Sequence, residues 1–333
     1  MVIAGAVVTA LLGVGVQLYP LPYVVLEPGP TVDTLGRYGG KQVITVTGGE
    51  SSASAGQLRM TTVQVKSDVG LAEAVEAWFD GDRALAPRSL VYPIGQTTEQ
   101  VDRENTELFA SSQSSAEIVA LRELGYPLRP QVTAVTAGGP SADALRVGDV
   151  ITGVGTQGVD TAETFADLAG RVAAGTQLTI AYTRAGRAGS ATVTSAGGTE
   201  GIGVRVEQKQ QTPFSVAIEV DEIGGPSAGL MFTLGIIDKL TPADLTGGRI
   251  IAGTGTIDDA GAVGPIGGIP QKLDGAKAAG AQLFLVPEGN CDEALRNAVP
   301  GLAMAKVATV GEALTAMRTF VAGGNPTPCA PAR

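Results

Sequence analysis

Short apolar and polar stretches alternate along the chain with two different periods. Period-two alternation predicts strands at residues 42–47 and 60–65. Apolar residues recur at helical spacing at Leu230, Leu234 and Ile237, which predicts a helix directly after a Gly-Gly-Pro-Ser turn. Because both periods occur in several separate stretches, we predict an α/β (α+β) multidomain chain.

The N-terminal stretch is uncharged. Residues 2–26 contain no Asp, Glu, Lys or Arg, and residues 2–16 are built from Val, Ile, Ala, Leu, Gly and Thr alone. A run of this length predicts a transmembrane helix with tyrosines at its exit. A cleaved signal peptide is the alternative, but no basic residue precedes the run and no small-x-small site follows it. We therefore expect a single-pass anchor in the cell membrane. The two cysteines further along the chain favour an extracytoplasmic position for the residues that follow the anchor.

Residues 27–125 are predicted to form a collar of strands and helices without chemistry of its own. One predicted helix carries its apolar side chains on a single face, and a second helical region spans residues 98–124. The apolar face of the first helix consists of Leu71, Val75, Trp78 and Phe79.

From residue 131 the pattern changes to short strands with glycine-rich turns. A strand is followed by a Gly-Gly-Pro-Ser-Ala turn containing Ser141, a Leu-x-x-Gly-Asp-Val-Ile segment, a helix capped by Asp160 and two closing strands. This order resembles a PDZ domain of the bacterial protease-associated type, in which a peptide C-terminus adds as a strand beside the helix. The resemblance places the carboxylate-binding loop near residues 125–128, where no Gly-Leu-Gly signature occurs.

Composition removes several classes of function. The 333 residues contain no histidine, which excludes Ser-His-Asp and Cys-His catalysis and His-ligated zinc. A net charge of −10 without a basic stripe argues against a nucleic-acid partner. No Walker A loop or dinucleotide fingerprint occurs, so we expect no nucleotide cofactor. With no histidine and only two cysteines, we also expect no metal. The adjacent Asp258 and Asp259 diverge and indicate a solvated turn.

A serine at a helix start is the candidate nucleophile. Ser227 follows the Gly-Gly-Pro turn, where free N–H groups of the helix can hold an oxyanion, although helix capping is the alternative role. Without histidine, a hydrolase must use a lysine, a carboxylate pair or an N-terminal amine as base. Lys272 lies among apolar residues, and burial would lower its pKa toward neutrality. Lys277 is the rival lysine and is predicted to be a solvated surface charge. Lys239 is predicted to be a charge at a helix C-terminus.

Three segments together resemble the proteolytic domain of the Lon family. They are Gly225-Pro226-Ser227-Ala228-Gly229, Thr254-Gly255 and the run from Pro265 to Lys272. The resemblance implies a Ser-Lys dyad of Ser227 and Lys272, with Thr254 in support and the backbone N–H groups of Ser227 and Ala228 at the oxyanion. Ser141 has the same neighbours but precedes no long apolar helix, so we interpret it as a structural turn residue.

The two cysteines, Cys291 and Cys329, are too few for a four-thiolate metal site. In an oxidising compartment they can form one disulfide, which would pin the Pro-rich C-terminal tail to the proteolytic domain. Two free thiols are the alternative.

The whole chain resembles the membrane-anchored, PDZ-containing Lon-like proteases of bacteria. The predicted domains are an anchor (residues 1–26), the collar (27–125), a PDZ-like domain (126–198), a Lon-type proteolytic domain (199–323) and a tail (324–333). We expect an ATP-independent serine endopeptidase that cleaves protein or peptide substrates, either unfolded or close to the membrane. A PDZ-based scaffold with an inactive Lon-like domain is the alternative. The resemblance also implies a homo-oligomer such as a hexameric ring.

Overall fold

The computed structural model describes residues 21–126, 128–197, 201–220 and 224–330. The chain divides into two units. The larger unit comprises Met1–Ala120 together with Phe214–Arg333, and the smaller unit comprises Leu121–Pro213. The larger unit is therefore assembled from two stretches of sequence that the smaller unit separates.

Strands and helices are numbered in chain order over the described residues. The strands are β1 (Tyr23–Pro28), β2 (Val32–Asp33), β3 (Arg37–Tyr38), β4 (Lys41–Gln42), β5 (Ile44–Thr47), β6 (Gln57–Met60), β7 (Val63–Lys66), β8 (Ala84–Pro87), β9 (Leu128–Val135), β10 (Val150–Val154), β11 (Gln157–Gly158), β12 (Gln177–Arg184), β13 (Arg187–Thr194), β14 (Val204–Gln210), β15 (Ser215–Ile218), β16 (Ile250–Gly253), β17 (Thr256–Ile257), β18 (Val263–Gly264), β19 (Leu283–Pro287) and β20 (Ala303–Val307). The helices are α1 (Leu71–Phe79), α2 (Thr98–Glu123), α3 (Ala162–Gly170), α4 (Gly229–Leu240), α5 (Ile269–Ala278), α6 (Cys291–Arg296) and α7 (Val310–Val321).

A five-stranded sheet in the order β2-β6-β16-β19-β20 forms the centre of the larger unit. Strand β16 runs parallel to both β6 and β19, and β19 runs parallel to β20. All residues of β19 are buried, as expected for a parallel strand covered on both faces. Helix α4 packs against this sheet with residues 229–238 buried. The sheet and α4 together place the end of β16 beside the start of α4.

The prediction of an N-terminal transmembrane helix is wrong for the described residues. Residues 1–20 of the predicted anchor lie outside them, and the remainder enters β1, the middle strand of a sheet in the order β7-β1-β8. Val24 and Val25 are fully buried there, and Val25 packs against Ala74 and Ala77 of α1. In the described part of the chain, no helix has the length and apolar character needed to cross a bilayer. The fold class is therefore corrected to a mixed α/β multidomain chain without a transmembrane helix among the described residues. The predicted single-pass, extracytoplasmic localisation is wrong on the same finding, because it depended on that helix.

Helix α1 forms where the apolar pattern predicted it, but the predicted apolar face is not the buried one. Its buried residues are Ala74 and Ala77, which pack against Val25. Trp78 and Phe79 are 73% and 84% exposed. The small alanine face allows the helix to lie close to the sheet, and the large side chains are left on the outer face.

The smaller unit is the PDZ-like domain, built on a sheet in the order β13-β12-β10-β9-β14 with α3 packed against it. Helix α3 is capped by Thr161, whose Oγ1 accepts the Thr164 N–H at 3.0 Å. The predicted cap, Asp160, does not have this role. Strand β14 pairs with β9 and completes this sheet, although it lies beyond residue 198, where the sequence analysis ended the PDZ-like domain.

Candidate active site

The turn before α4 presents Ser227 in a single 3-10 turn (Pro226–Ala228) that runs directly into the helix. Gly225 has a φ of +87°, a conformation that glycine adopts without strain. Gly229 packs so closely that a Cβ there would lie 2.7 Å from Ile257 Cγ2. The glycines on both sides of Ser227 therefore follow from the backbone path and the packing.

The segment after β16 holds the backbone of Ser227. Thr254 Oγ1 and the Gly255 N–H both donate to the Ser227 carbonyl oxygen, at 3.0 and 2.9 Å. The Leu230 N–H donates in return to the Gly255 carbonyl at 3.2 Å. Thr254 is fully buried. Three hydrogen bonds thus tie the end of the central strand to the turn that carries the candidate nucleophile.

Lys272 lies in the first turn of α5, and its side chain is directed toward Thr254. Its side chain is 3% exposed, and its Nζ donates to Thr254 Oγ1 at 3.0 Å. Burial lowers the pKa of Lys272 from 10.5 to about 7, because an ammonium group without surrounding water is disfavoured relative to the neutral amine. Thr254 therefore connects the lysine amine to the backbone of Ser227 through one hydroxyl.

Ser227 and Lys272 line one cavity of about 600 Å³ in the larger unit. Ala228, the second predicted oxyanion residue, lines the same cavity. Lys272 is the charged residue among the described residues that line this cavity. A hydroxyl at a helix start, a buried amine and nearby backbone N–H groups can together perform nucleophilic attack on a carbonyl carbon.

Comparison with known families assigns the chain to a protein family. The family described as the Lon protease (S16) C-terminal proteolytic domain matches residues 148–317, just over half of the 333 residues. The chain belongs to the Lon protease family. The PDZ domain family matches residues 94–194. Both predicted modules are therefore confirmed as family matches.

Three individual relatives each match a short part of the chain. Lon protease 2 of Bacillus subtilis (strain 168) is 36% identical over 94 residues, which are 28% of this chain and 16% of that protein. The chain therefore spans about a sixth of the length of this curated relative. The PDZ domain of the SdrC-like protein of Listeria monocytogenes is 23% identical, covers 23% of this chain and 86% of its own, and has a TM-score of 0.22. Its counterpart from Listeria innocua is 23% identical, with 25% and 97% coverage and a TM-score of 0.22.

The rival residues of this Lon-family chain lie elsewhere. Lys277 is exposed, and its Nζ donates to the Gly301 carbonyl at 3.0 Å. Lys239 lies in the last turn of α4, at the opposite end from Ser227. Ser141 is fully buried in the smaller unit, where its Oγ donates to the Ile202 carbonyl at 2.7 Å. The structure brings Ser227 together with Lys272.

The two adjacent aspartates form a turn. The Ala262 N–H donates to Asp258 Oδ1 at 2.8 Å, and Ser115 Oγ donates to Asp259 Oδ1 at 2.7 Å. Across the described residues, no group of three or more His, Cys, Asp or Glu side chains is arranged to hold a metal ion.

Residues of the predicted collar also reach the site, and the sequence analysis missed them. Tyr38, Thr61 and Val63 line the cavity beside Ser227. Thr61 follows β6, the parallel partner of β16, and its Oγ1 donates to the Gly253 carbonyl at 3.3 Å. The alternating pattern at residues 60–65 predicted one strand, whereas the structure divides this stretch between β6, which pairs with β16, and β7, which pairs with β1. Nothing local in the sequence identifies either partner.

The two cysteines are joined by a disulfide. Cys291 is the first residue of α6, and Cys291 and Cys329 are 4% and 8% exposed. The Lys306 N–H of β20 donates to the Thr327 carbonyl at 2.9 Å. The described part of the tail, up to residue 330, is therefore attached to the larger unit by a covalent bond and a backbone hydrogen bond.

A glycine-containing segment lies at the opposite end of the PDZ-like unit from residues 125–128, where the carboxylate-binding loop is predicted. Leu128 begins β9, which has β10 on one side and β14 on the other, and Pro127 lies outside the described residues. The sequence Gly-Ile-Gly at residues 201–203 leads into β14, the outermost strand of the sheet. Gly201 and Gly203 have φ values of +51° and +71°. The predicted loop position near residues 125–128 stays a prediction.

Proposed function

We propose that this chain is a serine endopeptidase in which Ser227 is the nucleophile and Lys272 the general base. The observation that carries the proposal is the buried Lys272 amine, hydrogen-bonded to a threonine that in turn holds the backbone of Ser227. A lysine with a pKa near neutrality can accept a proton at physiological pH, whereas an ordinary lysine is already protonated.

Thr254 supports the amine in the state that catalysis needs. A neutral lysine amine has two N–H donors and one lone pair. Thr254 Oγ1 accepts one of the donors and uses its own hydrogen for the Ser227 carbonyl. The lone pair of Lys272 remains available for the Ser227 hydroxyl. Because Thr254 is uncharged, it stabilises the ammonium form less than a carboxylate would.

The proposed reaction proceeds in two stages. Ser227 Oγ attacks the carbonyl carbon of a peptide bond while Lys272 accepts the hydroxyl proton, and the N–H groups of Ser227 and Ala228 bind the oxyanion. The Lys272 ammonium then protonates the departing amine, which leaves an acyl ester on Ser227. Water attacks this ester, gives its proton to Lys272 and releases the carboxylic acid. Ser227 Oγ recovers its proton from Lys272.

The cavity wall indicates the class of substrate. Besides Lys272 it contains uncharged residues, including Tyr38, Thr62 and Gln64. A charged substrate side chain would lose water there without gaining an ion pair. We therefore propose cleavage beside uncharged residues in unfolded segments of proteins. Nucleotide independence is part of the proposal, because the 333 residues contain no phosphate-binding loop.

The decisive experiment combines turnover with covalent labelling. The full chain is incubated with casein in the absence of nucleotide, and separately with an organophosphonate that reacts with activated serines. We expect cleavage, and we expect the label on the peptide that contains Ser227. Absence of both results would favour the alternative, a PDZ-based scaffold with an inactive Lon-family domain. Cleavage that requires added ATP would contradict nucleotide independence.

The PDZ-like unit is proposed to bind peptide C-termini at β14. This strand has no strand partner on its outer side among the described residues, and a glycine loop at residues 201–203 precedes it. An edge strand accepts a further strand through its backbone, and loop N–H groups can bind a terminal carboxylate. Two labelled peptide pools, one with free and one with amidated C-termini, are compared by fluorescence anisotropy. The pool with free C-termini should bind at least about tenfold more tightly. Equal binding of the two pools would contradict this site.

We also propose that the functional division of the chain follows the two structural units, with residues 21–120 serving the proteolytic unit. The support is that residues of this stretch line the cavity beside Ser227. The homo-oligomeric ring implied by the resemblance stays a prediction.

A further inference from the structure

One face of α2 lies against the nucleophile turn and α4. On this helix, Phe109 and Ser112 are 7% and 5% exposed. The Phe109 ring meets the Phe232 ring of α4 edge-on, with centroids 5.8 Å apart. One turn earlier, the Asn105 carbonyl accepts the Gly225 N–H at 3.0 Å. Positions 105, 109 and 112 follow helical spacing, so this stripe of α2 contacts the turn from its first glycine into the helix.

Ser112 donates a side-chain hydrogen bond to the active-site turn. Its Oγ donates to the Pro226 carbonyl at 3.1 Å. The site is tightly packed, since a Cβ on Gly229 would lie 2.7 Å from Ser112 Oγ. A buried donor with little competition from water is therefore held on the carbonyl that immediately precedes Ser227.

This hydrogen bond also controls the other end of the same peptide unit. The Pro226 carbonyl and the Ser227 N–H share one planar trans peptide, so they point in opposite directions and rotate together. A donor fixed on the Pro226 oxygen therefore sets the direction of the Ser227 N–H. The next peptide unit is held in the same way. Thr254 Oγ1 and the Gly255 N–H bind the Ser227 carbonyl, whose plane contains the Ala228 N–H.

We propose that Ser112 is a positioning residue that directs the Ser227 N–H toward the oxyanion, as Thr254 directs that of Ala228. The inference rests on the proposed function, because the oxyanion forms during peptide hydrolysis. Ser112 does not touch the substrate. Without its hydroxyl, the Pro226–Ser227 peptide plane can tilt, while Ser227 Oγ and Lys272 stay in place. The lost stabilisation then affects the transition state more than the bound substrate.

The test is Ser112→Ala in the full chain. We expect kcat for a fluorogenic peptide to fall about 10- to 100-fold with little change in KM. Affinity for a peptide aldehyde, whose adduct with Ser227 places an oxygen in the oxyanion position, should fall by a similar factor. Affinity for the matching peptide amide, which forms no adduct, should not change. The pH midpoint of kcat should also stay unchanged, because Lys272 is unaltered. Ser112→Cys, which keeps a weaker donor in a similar volume, should fall between Ser112→Ala and the parent.

Two neighbouring serines provide matched controls. Ser111 is exposed on the same helix, and Ser111→Ala should behave as the parent. Ser115→Ala removes a hydrogen bond between α2 and Asp259 Oδ1, at 2.7 Å in the structure, but leaves the Pro226 carbonyl untouched. Two results would overturn this inference and leave the proposed function intact. One is an equal fall in kcat for Ser115→Ala, and the other is unchanged aldehyde affinity in Ser112→Ala and Ser112→Cys. If the parent neither cleaves peptide nor takes the organophosphonate on Ser227, the proposed function fails and the inference fails with it.

Discussion

Replacement of Ser227 by alanine is expected to abolish peptide hydrolysis and leave the fold intact. Removal of a serine nucleophile lowers kcat by roughly 10⁴- to 10⁶-fold in enzymes of this kind. Alanine is compatible with the local backbone, since the same 3-10 turn already ends in Ala228. Initial rates on a fluorogenic peptide measure the loss, and thermal unfolding checks that the variant stays folded.

The chain supplies a matched control in its second copy of the same five-residue motif. Ser141 also follows Gly-Gly-Pro, but its hydroxyl is buried and donates to the Ile202 carbonyl at 2.7 Å. Ser141→Ala should lower the free energy of unfolding by about 1–3 kcal/mol, because a buried carbonyl loses its donor. Its kcat/KM on a short peptide should match that of the parent. Hydrolysis that survives in Ser227→Ala would refute the dyad, and hydrolysis lost in Ser141→Ala alone would assign the nucleophile to the other copy.

The local parts of the candidate site are predictable from sequence for a physical reason. A glycine turn followed by an apolar helix specifies its own geometry, so the position of Ser227 at the start of α4 can be inferred without tertiary information. The absence of histidine narrows the choice of base. The Lys272 environment also has a local signal, since its helix neighbours Ile269, Leu273 and Ala276 are apolar and prove to be fully buried.

The missing parts of the site depend on contacts between distant segments. Thr61 and Gly253 are joined by a hydrogen bond across 192 positions, and the parallel pairing of β6 with β16 sets that register. A strand pattern indicates which residues alternate, but it carries no information about which partner strand the chain selects. The same limit hid Ser112, whose contact with Pro226 spans 114 positions.

The incorrect predictions come from reading hydropathy as a statement about surroundings. The stretch that contains Val24 and Val25 is uncharged, and a buried central strand needs that composition as much as a membrane span does. In α1, the large apolar side chains suggest a buried face, yet close packing on the sheet selects Ala74 and Ala77. Hydropathy describes the side chains, and the neighbouring elements decide which face is covered.

Activity is expected to rise about tenfold between pH 6 and pH 8 and then level off. The base must be neutral to accept the Ser227 proton, and burial lowers the pKa of Lys272 to about 7. About a tenth of the amine is neutral one unit below that pKa and about nine-tenths one unit above it. The measurement is kcat/KM for an uncharged peptide across this range. A profile that stays flat, or that falls with rising pH, would contradict a lysine base.

Lys272→Met separates the catalytic from the structural consequence of the same buried amine. The unfolded chain keeps the ordinary lysine pKa of 10.5, so between about pH 7 and 10.5 it binds more protons than the folded chain does. The free energy of unfolding of the parent therefore rises with pH in that window through this residue. Methionine removes this slope and should stabilise the fold at pH 7, by about 4 kcal/mol, while hydrolysis is lost. Lys277→Met, at an exposed position of the same helix, should change neither property. Lost activity with increased stability is the result expected for a lysine kept neutral for chemistry, since loss of a lysine that supports the fold would lower both.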